Sequence, residues 1–328
     1  MILCTIGCGE HAESSHGPAQ ARYAASHPGT VRAGCCDVDA ARAERFRRRH
    51  GFARAYTDAM AMIEAEGPDA AALVVPDDVT AELGAALLAR GVPLLIEKPP
   101  GRTLEEVDRL LAAAERSPRP VPHQVAFNRR FVPLVREAHR RLAAIGPPSA
   151  IQHVRYEMTR VDRRDPDFST TAIHGLDAVR FLAAADYVEA RFRYQPLPSM
   201  GPGVANIFLD AVMASGATAH LAFFPAAGAV LERATIHAAT HTLLLRIPMW
   251  GGFDSPGRLQ HLEGGRAIAD IAGEAGAEPF VLGGFLGEYE AFLGDLAAGR
   301  VPSPSLDESR QSVQIAECVR RRDEEFHA

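Results

Sequence analysis

Short apolar runs alternate with helix-like segments along the first 122 residues, and this alternation is the feature that most restricts the possible folds. The apolar runs cover residues 1–6, 31–36, 70–75, 92–96 and 121–127. Helical periodicity lies between them, near residues 16–26, 39–50, 58–66, 79–90 and 103–116. Strands that alternate with helices pair in parallel through crossover connections. The sequence therefore predicts a doubly wound parallel sheet for this region.

Capping residues mark the ends of several of these helices. Gly51 and Gly91 follow two helical segments at the position expected for a C-terminal cap. Asp39 precedes another helix as an N-cap, and Thr103 with Glu106 has the spacing of a capping box. These signals support the alternating order of strands and helices.

The pattern changes after the proline-rich segment 117–122. Helices are predicted near residues 133–145, 172–184, 285–298 and 307–324. Strands are predicted at residues 150–159, 188–195, 204–213, 216–224, 233–247 and 258–270. Because these strands follow one another without helices between them, they favour a mostly antiparallel sheet. The sequence thus predicts an α/β protein with a doubly wound domain over residues 1–122 and a second α/β domain over residues 123–328.

Charge and composition restrict the classes of partner. The net charge of −6, with arginines scattered among acidic residues, argues against nucleic acid. Runs of about 18 apolar residues are missing, so we expect no membrane-spanning segment. The first residues lack a basic n-region, and the five cysteines show neither C-x-x-C nor metal-ligand spacing. We therefore expect a cytoplasmic protein whose cysteines are mostly buried core residues.

The first predicted strand runs into a glycine-rich turn, residues 7–12, with the motif G-x-G-x-x-A. Gly7 permits the tight turn, Gly9 lets a pyrophosphate approach the backbone, and Ala12 allows close packing of the next helix. The pyrophosphate would lie at the N-terminus of the helix near 16–26. A turn whose glycines serve geometry alone is the alternative. The strand before the motif and the helix after it favour nucleotide binding.

Asp37 ends the second predicted strand, where a carboxylate can accept hydrogen bonds from the adenosine ribose hydroxyls. This carboxylate would repel a 2′-phosphate, and Val38 offers no compensating charge, so the sequence favours NAD over NADP. Arg42 leaves NADP open, since it lies near enough in sequence to contact a phosphate. Glu10 is unfavourable beside a pyrophosphate unless its side chain points to solvent.

The chain has 35 lysine and arginine residues, and Lys98 is its single lysine. Lys98 follows the apolar run 92–96, at the predicted carboxyl end of a strand, where open α/β sheets bind ligands. A lysine ammonium can lose its proton when its surroundings lower its pKa, whereas a guanidinium cannot. The alternative is that a composition biased towards arginine has left one lysine at this position by chance. The position is therefore a candidate catalytic residue.

Four elements together resemble the Gfo/Idh/MocA (glucose–fructose oxidoreductase/inositol dehydrogenase) family. They are the glycine turn, Glu97-Lys98-Pro99, Asn128-Arg129-Arg130-Phe131, and His174-x-x-Asp177 at the start of a helix. The resemblance implies a Rossmann domain, a second α/β domain with an open sheet, a nicotinamide cofactor, and sugar or cyclitol substrates. It also implies oligomers formed by packing of the open sheets, here expected as a homodimer or homotetramer. The second domain would bind substrate and form the oligomer, and its final helix can pack back on the first domain.

The resemblance also assigns roles to individual residues. Cofactor contacts are expected from Gly7, Gly9, Glu10, His11, Ala12, Asp37, Arg42, Pro76, Glu97 and Lys98. Substrate contacts are expected from Lys98, Arg129, Tyr156, Thr170 and His174. Lys98 would hydrogen-bond the reacting oxygen, and His174 would exchange the proton near neutral pH. Asp177, one helical turn after His174, would either fix the tautomer of His174 or be a surface charge. A structural hydrogen bond at a helix start is the alternative for His174.

Two positions depart from the family pattern. Thr170 stands where members of the family often have an aspartate, four residues before His174, and a hydroxyl cannot supply the same negative charge. Thr80 stands where a histidine is common, four residues after Pro76, so cofactor contacts at that position are expected to differ. Both changes suggest a divergent substrate or a divergent role.

The sequence does not identify the substrate. Guanidiniums suit carboxylates or phosphates, so an acidic or nucleotide-linked sugar is conceivable. The candidates besides Arg129 are Arg130, Arg160, Arg163 and Arg164. The loop that holds Arg163 and Arg164 carries its own acidic residues, which favours a solvated loop. His237 and His241 lie on one face of the predicted strand 233–247 without a third ligand, and we predict no metal.

The predicted function is that of an NAD(P)-dependent oxidoreductase that acts on a carbinol or ketone carbon of a sugar-like metabolite. A cofactor-binding sensor or regulator of the same fold is a second reading, motivated by Thr170 and Thr80. A third is an enzyme that uses NAD non-stoichiometrically, oxidising and re-reducing its substrate within one turnover.

Overall fold

The structure is a computed structural model that describes residues 1–117 and 119–328. It divides into two compact units: Met1–Phe127 with Phe285–Arg310, and Asn128–Gly284 with Gln311–Ala328. The first division follows residue 127, whereas the sequence predicted it after residue 122 in a proline-rich segment, of which Pro118 lies outside the described residues. The segment Phe285–Arg310, expected in the second domain, belongs to the first unit. The units are defined by compact packing and not by chain order. Sequence patterns do not reveal that a late segment packs with the first unit.

A six-stranded parallel sheet forms the centre of the first unit, with the strand order β3-β2-β1-β4-β5-β6. Its strands are β1 (Ile2–Ile6), β2 (Val31–Cys36), β3 (Arg54–Tyr56), β4 (Ala70–Leu73), β5 (Leu94–Glu97) and β6 (His123–Ala126). This is the strand order of a Rossmann fold, in which the order reverses between β1 and β4 and ligands bind outside the carboxyl ends of the strands. The predicted doubly wound parallel sheet is confirmed.

Helices connect these strands, as the alternating pattern predicted. They are α1 (Gly17–Ser26), α2 (Ala40–His50), α3 (Ala59–Glu66), α4 (Asp77–Leu88) and α5 (Leu104–Glu115). The side chain of Asp39 caps α2 by accepting from two backbone N–H groups, and Thr103 caps α5 in the same way. Gly51 ends α2 in the left-handed conformation. These caps confirm both predicted ends of α2 and the predicted start of α5. Helix α4 instead has Ala89 as its C-cap, two residues before the predicted Gly91.

The beginning of the first helix differs from the prediction. A π-helix over Ala12–His16 precedes α1, so helical structure begins directly after the glycine turn and not near residue 16. The wider turn accommodates an extra residue, a local irregularity that apolar periodicity does not reveal. Strand β3 was also absent from the prediction, because three half-exposed residues give no apolar run.

A nine-stranded mixed sheet forms the second unit, with the order β14-β13-β12-β11-β7-β10-β9-β8-β15. Its strands are β7 (Ile151–Thr159), β8 (Tyr187–Pro196), β9 (Ala205–Met213), β10 (Thr218–Phe224), β11 (Leu231–Ala238), β12 (His241–Arg246), β13 (Arg258–Glu263), β14 (Arg266–Ala272) and β15 (Glu325–His327). Seven of the eight neighbouring pairs are antiparallel, and β7 with β10 is parallel. The predicted mostly antiparallel sheet is confirmed.

The remaining helices follow residue 128. They are α6 (Pro133–Ile145), α7 (Ser169–Ala183), α8 (Pro279–Leu282), α9 (Phe285–Ala297) and α10 (Leu306–Arg321). Helix α7 packs on β7 and β10, and α6 packs on β12 and β13. Helix α9 packs against α1 within the first unit. The described helices include none that is both long and apolar enough to cross a membrane.

Residues alternate between the two faces of the second sheet. Tyr156, Leu221 and Leu209 stand opposite one another on β7, β10 and β9 and are buried. The next row, with Arg155 and Asp210, is exposed. One face therefore carries the core of this unit, and the other presents polar side chains.

The predicted strand 233–247 is instead two strands, β11 and β12, joined by a tight turn. Ala239 takes a positive φ of 49° in that turn, without the glycine or asparagine that usually announces it. His237 and His241 therefore lie on different strands, and their expected place on one strand was wrong. The predicted strand 258–270 is likewise a hairpin, turning at Gly264 and Gly265.

Candidate active site

The glycine turn has the close backbone packing that its motif predicts. Gly7 has a positive φ of 92°, and a Cβ at this position would lie 1.9 Å from the Val74 carbonyl oxygen, so only glycine fits. A Cβ at Gly9 would meet nothing within 4 Å among the described residues, which leaves the backbone there open to a ligand. Ala12 is fully buried, and Glu10 is exposed to solvent. The turn therefore fits a pyrophosphate without opposition from Glu10.

Asp37 lies at the carboxyl end of β2 and joins the glycine turn to Arg42. Its Oδ2 accepts a hydrogen bond from the Cys8 backbone N–H at 2.9 Å. Its Oδ1 accepts from the Asp39 backbone N–H at 3.0 Å and from Arg42 Nη1 at 3.3 Å. The structure thus brings together the two residues from which the cofactor preference was predicted. A ribose diol would meet the carboxylate, and a 2′-phosphate would meet both charges.

Glu97, the last residue of β5, is buried and accepts hydrogen bonds from three N–H groups. Its Oε1 lies 3.0 Å from His11 Nε2 and 2.8 Å from His16 Nε2, and its Oε2 accepts from the Lys98 backbone N–H at 3.0 Å. Burial opposes its ionisation, but the two histidines outweigh burial and hold the pKa of Glu97 well below its ordinary value. The site therefore contains a buried carboxylate next to Lys98.

A chain of polar side chains continues from Glu97 into the core of the first unit. His16 Nδ1 lies 2.9 Å from the Tyr289 hydroxyl, and Gln20 Nε2 donates to that hydroxyl at 2.8 Å. The Thr5 hydroxyl in turn donates to Gln20 Oε1 at 2.9 Å. Sequence reasoning missed this chain. Tyr289 comes from the segment that returns to the first unit, 273 residues after His16, and periodicity carries no signal for that pairing.

His11, His16 and Glu97 form the one group that could hold a metal ion within the described part of the chain. Their ligand atoms lie within 4.8 Å of one another. Two imidazoles and one carboxylate are ligands that Zn²⁺ and Fe²⁺ accept. The distances from Glu97 Oε1 to both imidazoles are those of hydrogen bonds. The prediction that the protein holds no metal stays a prediction.

Lys98 lies half-buried directly after β5, at the same carboxyl edge of the sheet as the glycine turn and Asp37. Pro76 precedes α4 at that edge and is exposed. Thr80 is buried, and its hydroxyl donates to the Pro76 carbonyl at 3.0 Å. The residue that departs from the family pattern therefore bonds within its own helix.

His174 lies in the second turn of α7, which is held close to the sheet by Gly175. A Cβ on Gly175 would lie 2.8 Å from the Phe223 ring and 2.9 Å from the Tyr156 ring, so a larger residue would push α7 away. His174 is buried, and its Nε2 lies 3.4 Å from Arg129 Nη1. Because a guanidinium can only donate, this nitrogen of His174 accepts and the imidazole is neutral. Thr170 is half-buried one turn earlier.

Asp177 is fully buried, and its described hydrogen bonds run to residues other than His174. Its carboxylate accepts from Arg130 Nε at 2.8 Å and Nη2 at 2.7 Å. The Ser312 hydroxyl donates to Oδ1 at 3.2 Å. Asp177 is therefore not a surface charge, and this alternative was wrong. Its support of the His174 tautomer stays a prediction, which the ion pair with Arg130 does not favour.

Glu232 is a buried carboxylate that the prediction missed. It accepts from Arg129 Nη2 at 2.8 Å, from the Tyr156 hydroxyl at 2.9 Å, and from Arg160. Burial opposes its ionisation, but the guanidiniums of Arg129 and Arg160 lower the pKa of Glu232 to about 2. A signal was present in the sequence, because Glu232 lies in phase with the buried residues of β11. A charge at a core-facing position of a strand indicates a buried partner.

This cluster gives two of the expected substrate contacts partners within the protein. Tyr156 has no exposed surface and donates its hydroxyl to Glu232, so it has an internal partner where a substrate was expected. Arg129 joins Glu232 and His174 and also lines a cavity within the second unit. Met249 and Trp250 form part of the cavity wall.

The remaining predicted arginines have acidic neighbours. Arg163 donates to Asp165 at 2.6 Å, and Arg164 donates to Asp162 at 2.8 Å. This pairing confirms the interpretation of their loop as self-compensated. The expected site residues thus fall into two sets. The first unit holds Gly7, Gly9, Glu10, His11, Ala12, Asp37, Arg42, Pro76, Glu97 and Lys98, and the second holds Arg129, Tyr156, Thr170, His174 and Asp177.

Residues 4–124 match the sequence model of Gfo/Idh/MocA, described as an oxidoreductase family with an NAD-binding Rossmann fold. These residues belong to that family. The match covers the glycine turn, Asp37, Glu97 and Lys98, which carried the predicted resemblance. The family assignment and the NAD-binding fold of the first unit are therefore confirmed.

Two curated proteins to which this chain is similar are inositol dehydrogenases. Myo-inositol dehydrogenase Hyg17 of Streptomyces leeuwenhoekii is 29% identical over 162 residues, which is 47% of this chain and 49% of that protein. Inositol 2-dehydrogenase of Paracoccus denitrificans is 30% identical over 159 residues, 47% of each chain. The chain thus matches these curated relatives over about half of their length.

Among solved structures, a levoglucosan dehydrogenase in complex with NADH and L-sorbose matches with a TM-score of 0.83 at 19% identity. The match covers 100% of this chain and 98% of that one. At this identity the likeness shows the fold. The two-part α/β architecture predicted from the family resemblance is therefore confirmed along the whole chain.

Proposed function

We propose that this chain is an NAD-dependent oxidoreductase that transfers a hydride between nicotinamide and a carbinol or ketone carbon of a sugar, a cyclitol or a sugar-derived metabolite. The observation that carries the proposal is the position of Lys98. It follows β5 at the cofactor edge of a Rossmann sheet, and its backbone is bonded to a buried carboxylate that also binds the glycine turn through His11. The relatives' names, as inositol and levoglucosan dehydrogenases, support the substrate class.

The proposed cofactor is NAD, with NADP as the alternative. Gly7 and Gly9 would admit the pyrophosphate, and the helical N–H groups that follow the turn would bind it. Asp37 would accept the ribose hydroxyls, with Arg42 beside it as the residue that could tolerate a phosphate. Bound NAD supplies the hydride acceptor. The family description and the NADH complex of the levoglucosan dehydrogenase support this choice.

Lys98 and His174 are the proposed catalytic residues. The Lys98 ammonium would donate a hydrogen bond to the reacting oxygen and orient the carbinol. His174, neutral in the structure, would take the hydroxyl proton at a ring nitrogen and return it in the reverse direction. Asp177 would act through Arg130 rather than through the imidazole. Arg129 would hold His174 and present one edge to the substrate cavity.

Two other functions remain candidates. A cofactor-binding sensor or regulator would bind NADH without turnover, and Thr170 and Thr80 are the observations that favour it. An enzyme that uses NAD non-stoichiometrically would convert substrate without net NADH. A sensor and such an enzyme can be distinguished by measuring substrate, because only the enzyme consumes it.

The proposed assembly is a homodimer or homotetramer formed through the exposed face of the second sheet. Arg155 and Asp210 lie in one exposed row of that face, and opposite charges of this kind can pair between copies. The proposed partners besides a second copy are small sugar-like molecules, without nucleic acid or membrane. The cytoplasm is the proposed compartment, because the five cysteines are buried and free.

The function is tested by titrating the protein with NADH and with NADPH, and then by screening polyols and keto-sugars for a change in NADH absorbance. We expect saturable binding that is tighter for NADH, and turnover that is lost in Lys98→Met. Tight binding without consumption of any substrate would favour the sensor. Substrate conversion without net NADH would favour non-stoichiometric use. Absence of binding for both nucleotides would reject the oxidoreductase.

A further inference from the structure

We propose that Glu97 is a positioning residue for Lys98, held in place by a hydrogen-bonded chain that runs through His16, Tyr289 and Gln20. The inference rests on the proposed function, because it assigns a task to the carboxylate next to the proposed catalytic lysine. It concerns residues of the first unit alone. The predicted role of Glu97 was a cofactor contact, and the described geometry directs both of its oxygens to protein N–H groups.

The position of the Glu97 carboxylate is fixed by donors on both oxygens. Oε1 is shared by His11 and His16, and Oε2 accepts from the Lys98 backbone N–H. A carboxylate bound by three N–H groups has little freedom to rotate. The Lys98 backbone is thereby tied to a fixed acceptor at the point where its side chain leaves the sheet.

The direction of each hydrogen bond follows from Glu97. An ionised carboxylate only accepts, so His16 Nε2 carries a hydrogen. Burial lowers the pKa of His16, so the ring is neutral and its Nδ1 accepts. The Tyr289 hydroxyl must then donate to Nδ1, which leaves its oxygen to accept from Gln20 Nε2. The Thr5 hydroxyl donates to Gln20 Oε1. These directions are mutually consistent, and they determine the His16 tautomer.

Such an arrangement is costly as a purely structural device. Five buried polar side chains occupy a core where apolar residues of similar size would pack without desolvation cost. The chain begins at Glu97, which contacts both the Lys98 backbone and the partly exposed His11 of the glycine turn, and it ends at Thr5 in the core. Buried polar networks with a shifted carboxylate are typical of functional sites. The Glu97 end of this one adjoins both the proposed catalytic residue and the proposed cofactor turn.

A metal ion on His11, His16 and Glu97 is the competing interpretation of the same cluster. It would require His16 to present a bare Nε2 to the ion and to donate from Nδ1 to Tyr289. The observed donor pattern is complete without an ion, and both imidazoles lie at hydrogen-bond distance from one carboxylate oxygen. We therefore argue for the hydrogen-bonded chain and keep metal binding as an outcome of the test.

Because Lys98 is the single lysine, lysine labelled with ¹⁵N and ¹³C gives one backbone amide signal and one side-chain set. We expect the Lys98 amide proton downfield, as for a donor to a carboxylate. Glu97→Gln should move it upfield, and Tyr289→Phe should move it the same way by less. Glu66→Gln and Tyr56→Phe are matched controls, since Tyr56 donates to the buried Glu66 elsewhere in the same unit. They should leave the signal in place.

The kinetic arm compares the same variants. Glu97→Gln should lower kcat roughly 100-fold by misplacing Lys98, while the NADH dissociation constant stays near that of wild type. The control variants should be less stable, but they should not show a lowered kcat together with an unchanged NADH dissociation constant. Tyr289→Phe, the milder change, carries the test if Glu97→Gln does not fold.

Three results would overturn the inference. The first is an unshifted Lys98 signal in both Glu97→Gln and Tyr289→Phe. The second is a kcat in Glu97→Gln equal to that of Glu66→Gln. The third is stoichiometric Zn²⁺ binding to the wild type that disappears in His16→Asn. If the wild type turns over no polyol, the proposed function fails instead, and the labelled-lysine spectra still decide whether Glu97 positions Lys98.

Discussion

Asp177 lies in the helix that carries His174, and its carboxylate accepts two hydrogen bonds from the Arg130 guanidinium, at 2.8 and 2.7 Å. The pair is buried on the Asp177 side, and Ser312 of α10 completes it. In this geometry the carboxylate stabilises the packing of the second unit. The family pattern groups His174 with Asp177. Here His174 has a proposed chemical role, whereas the role of Asp177 in this geometry is structural.

Removing one partner of the Arg130–Asp177 pair should destabilise the protein more than it impairs the chemistry. We expect Asp177→Asn to lower the free energy of unfolding by about 3 kcal/mol, since it leaves a guanidinium without its counter-charge. Urea unfolding of Asp177→Asn, Arg130→Met and the double variant gives the coupling between them. A lower kcat in Asp177→Asn with an unchanged free energy of unfolding would instead indicate that Asp177 supports the His174 tautomer.

Substitution of Lys98 should abolish turnover and spare cofactor binding. We expect both Lys98→Met and Lys98→Arg to lower kcat/KM by about 10²- to 10⁴-fold, because methionine has no donor for the reacting oxygen and the planar guanidinium cannot match the reach and geometry of the ammonium. NADH titration followed by fluorescence should give dissociation constants close to wild type. Full activity in Lys98→Arg would reduce the role of Lys98 to that of a fixed positive charge.

Acid stability should depend on Glu232. The pKa of this carboxyl is lowered from its ordinary value of 4.5 to about 2 by Arg129 and Arg160, against the opposing effect of burial. A lowered pKa contributes stability that is fully present above about pH 4.5 and is lost as the pH falls through about 2. The difference corresponds to roughly 3 kcal/mol.

Urea unfolding at several pH values checks this expectation. Glu232→Gln should be less stable than wild type at pH 7, and the gap should narrow as the pH falls from about 4.5 towards 2. Glu290→Gln, at an exposed position of α9, serves as the control and should follow the wild-type curve. A constant gap at every pH would show that the charge of Glu232 is not what stabilises the fold.

Asp37 should set the preference for NADH over NADPH. We expect Asp37→Ala to weaken NADH binding by about 1.5 kcal/mol through loss of charge-assisted hydrogen bonds to the ribose. NADPH binding should weaken less or improve, since the carboxylate that would repel the 2′-phosphate is removed while Arg42 remains. Asp39→Ala is the matched control, because it removes the N-cap of α2 and leaves Asp37 in place. An unchanged NADH-to-NADPH ratio in Asp37→Ala would contradict the assignment.

The cysteines should be unreactive in the native protein. All five are buried, and burial raises the pKa of Cys4 and Cys36 to about 12 and that of Cys318 to about 11. Little thiolate is therefore available to a disulfide reagent at neutral pH. We expect a chromogenic disulfide reagent to react slowly with the native protein and to react with five thiols per chain after unfolding. Rapid labelling of the native protein would mean that one of these strands opens readily.

Local patterns predicted the strand and helix order of the first unit because they depend on neighbours in sequence. Apolar runs, caps and the glycine turn require only a few consecutive residues, and Gly7 and Asp37 occur where the motif places them. The hairpin at Ala239 escaped prediction because a turn residue with positive φ carried no glycine. The hairpin at Gly264 and Gly265 had that signal, but the prediction continued one strand across it.

The sequence by itself determined the Rossmann order of the first unit, the glycine turn and the position of Lys98 at a strand end. The tertiary structure decided which buried groups surround those residues. Tyr289 reaches His16 across 273 residues and Glu232 reaches Arg129 across 103, distances over which no periodicity extends. Such pairs form because a buried charge or hydroxyl must find a partner once the units have folded. The need for a partner arises in the packed core. The order of residues along the chain does not reveal which side chain will be that partner.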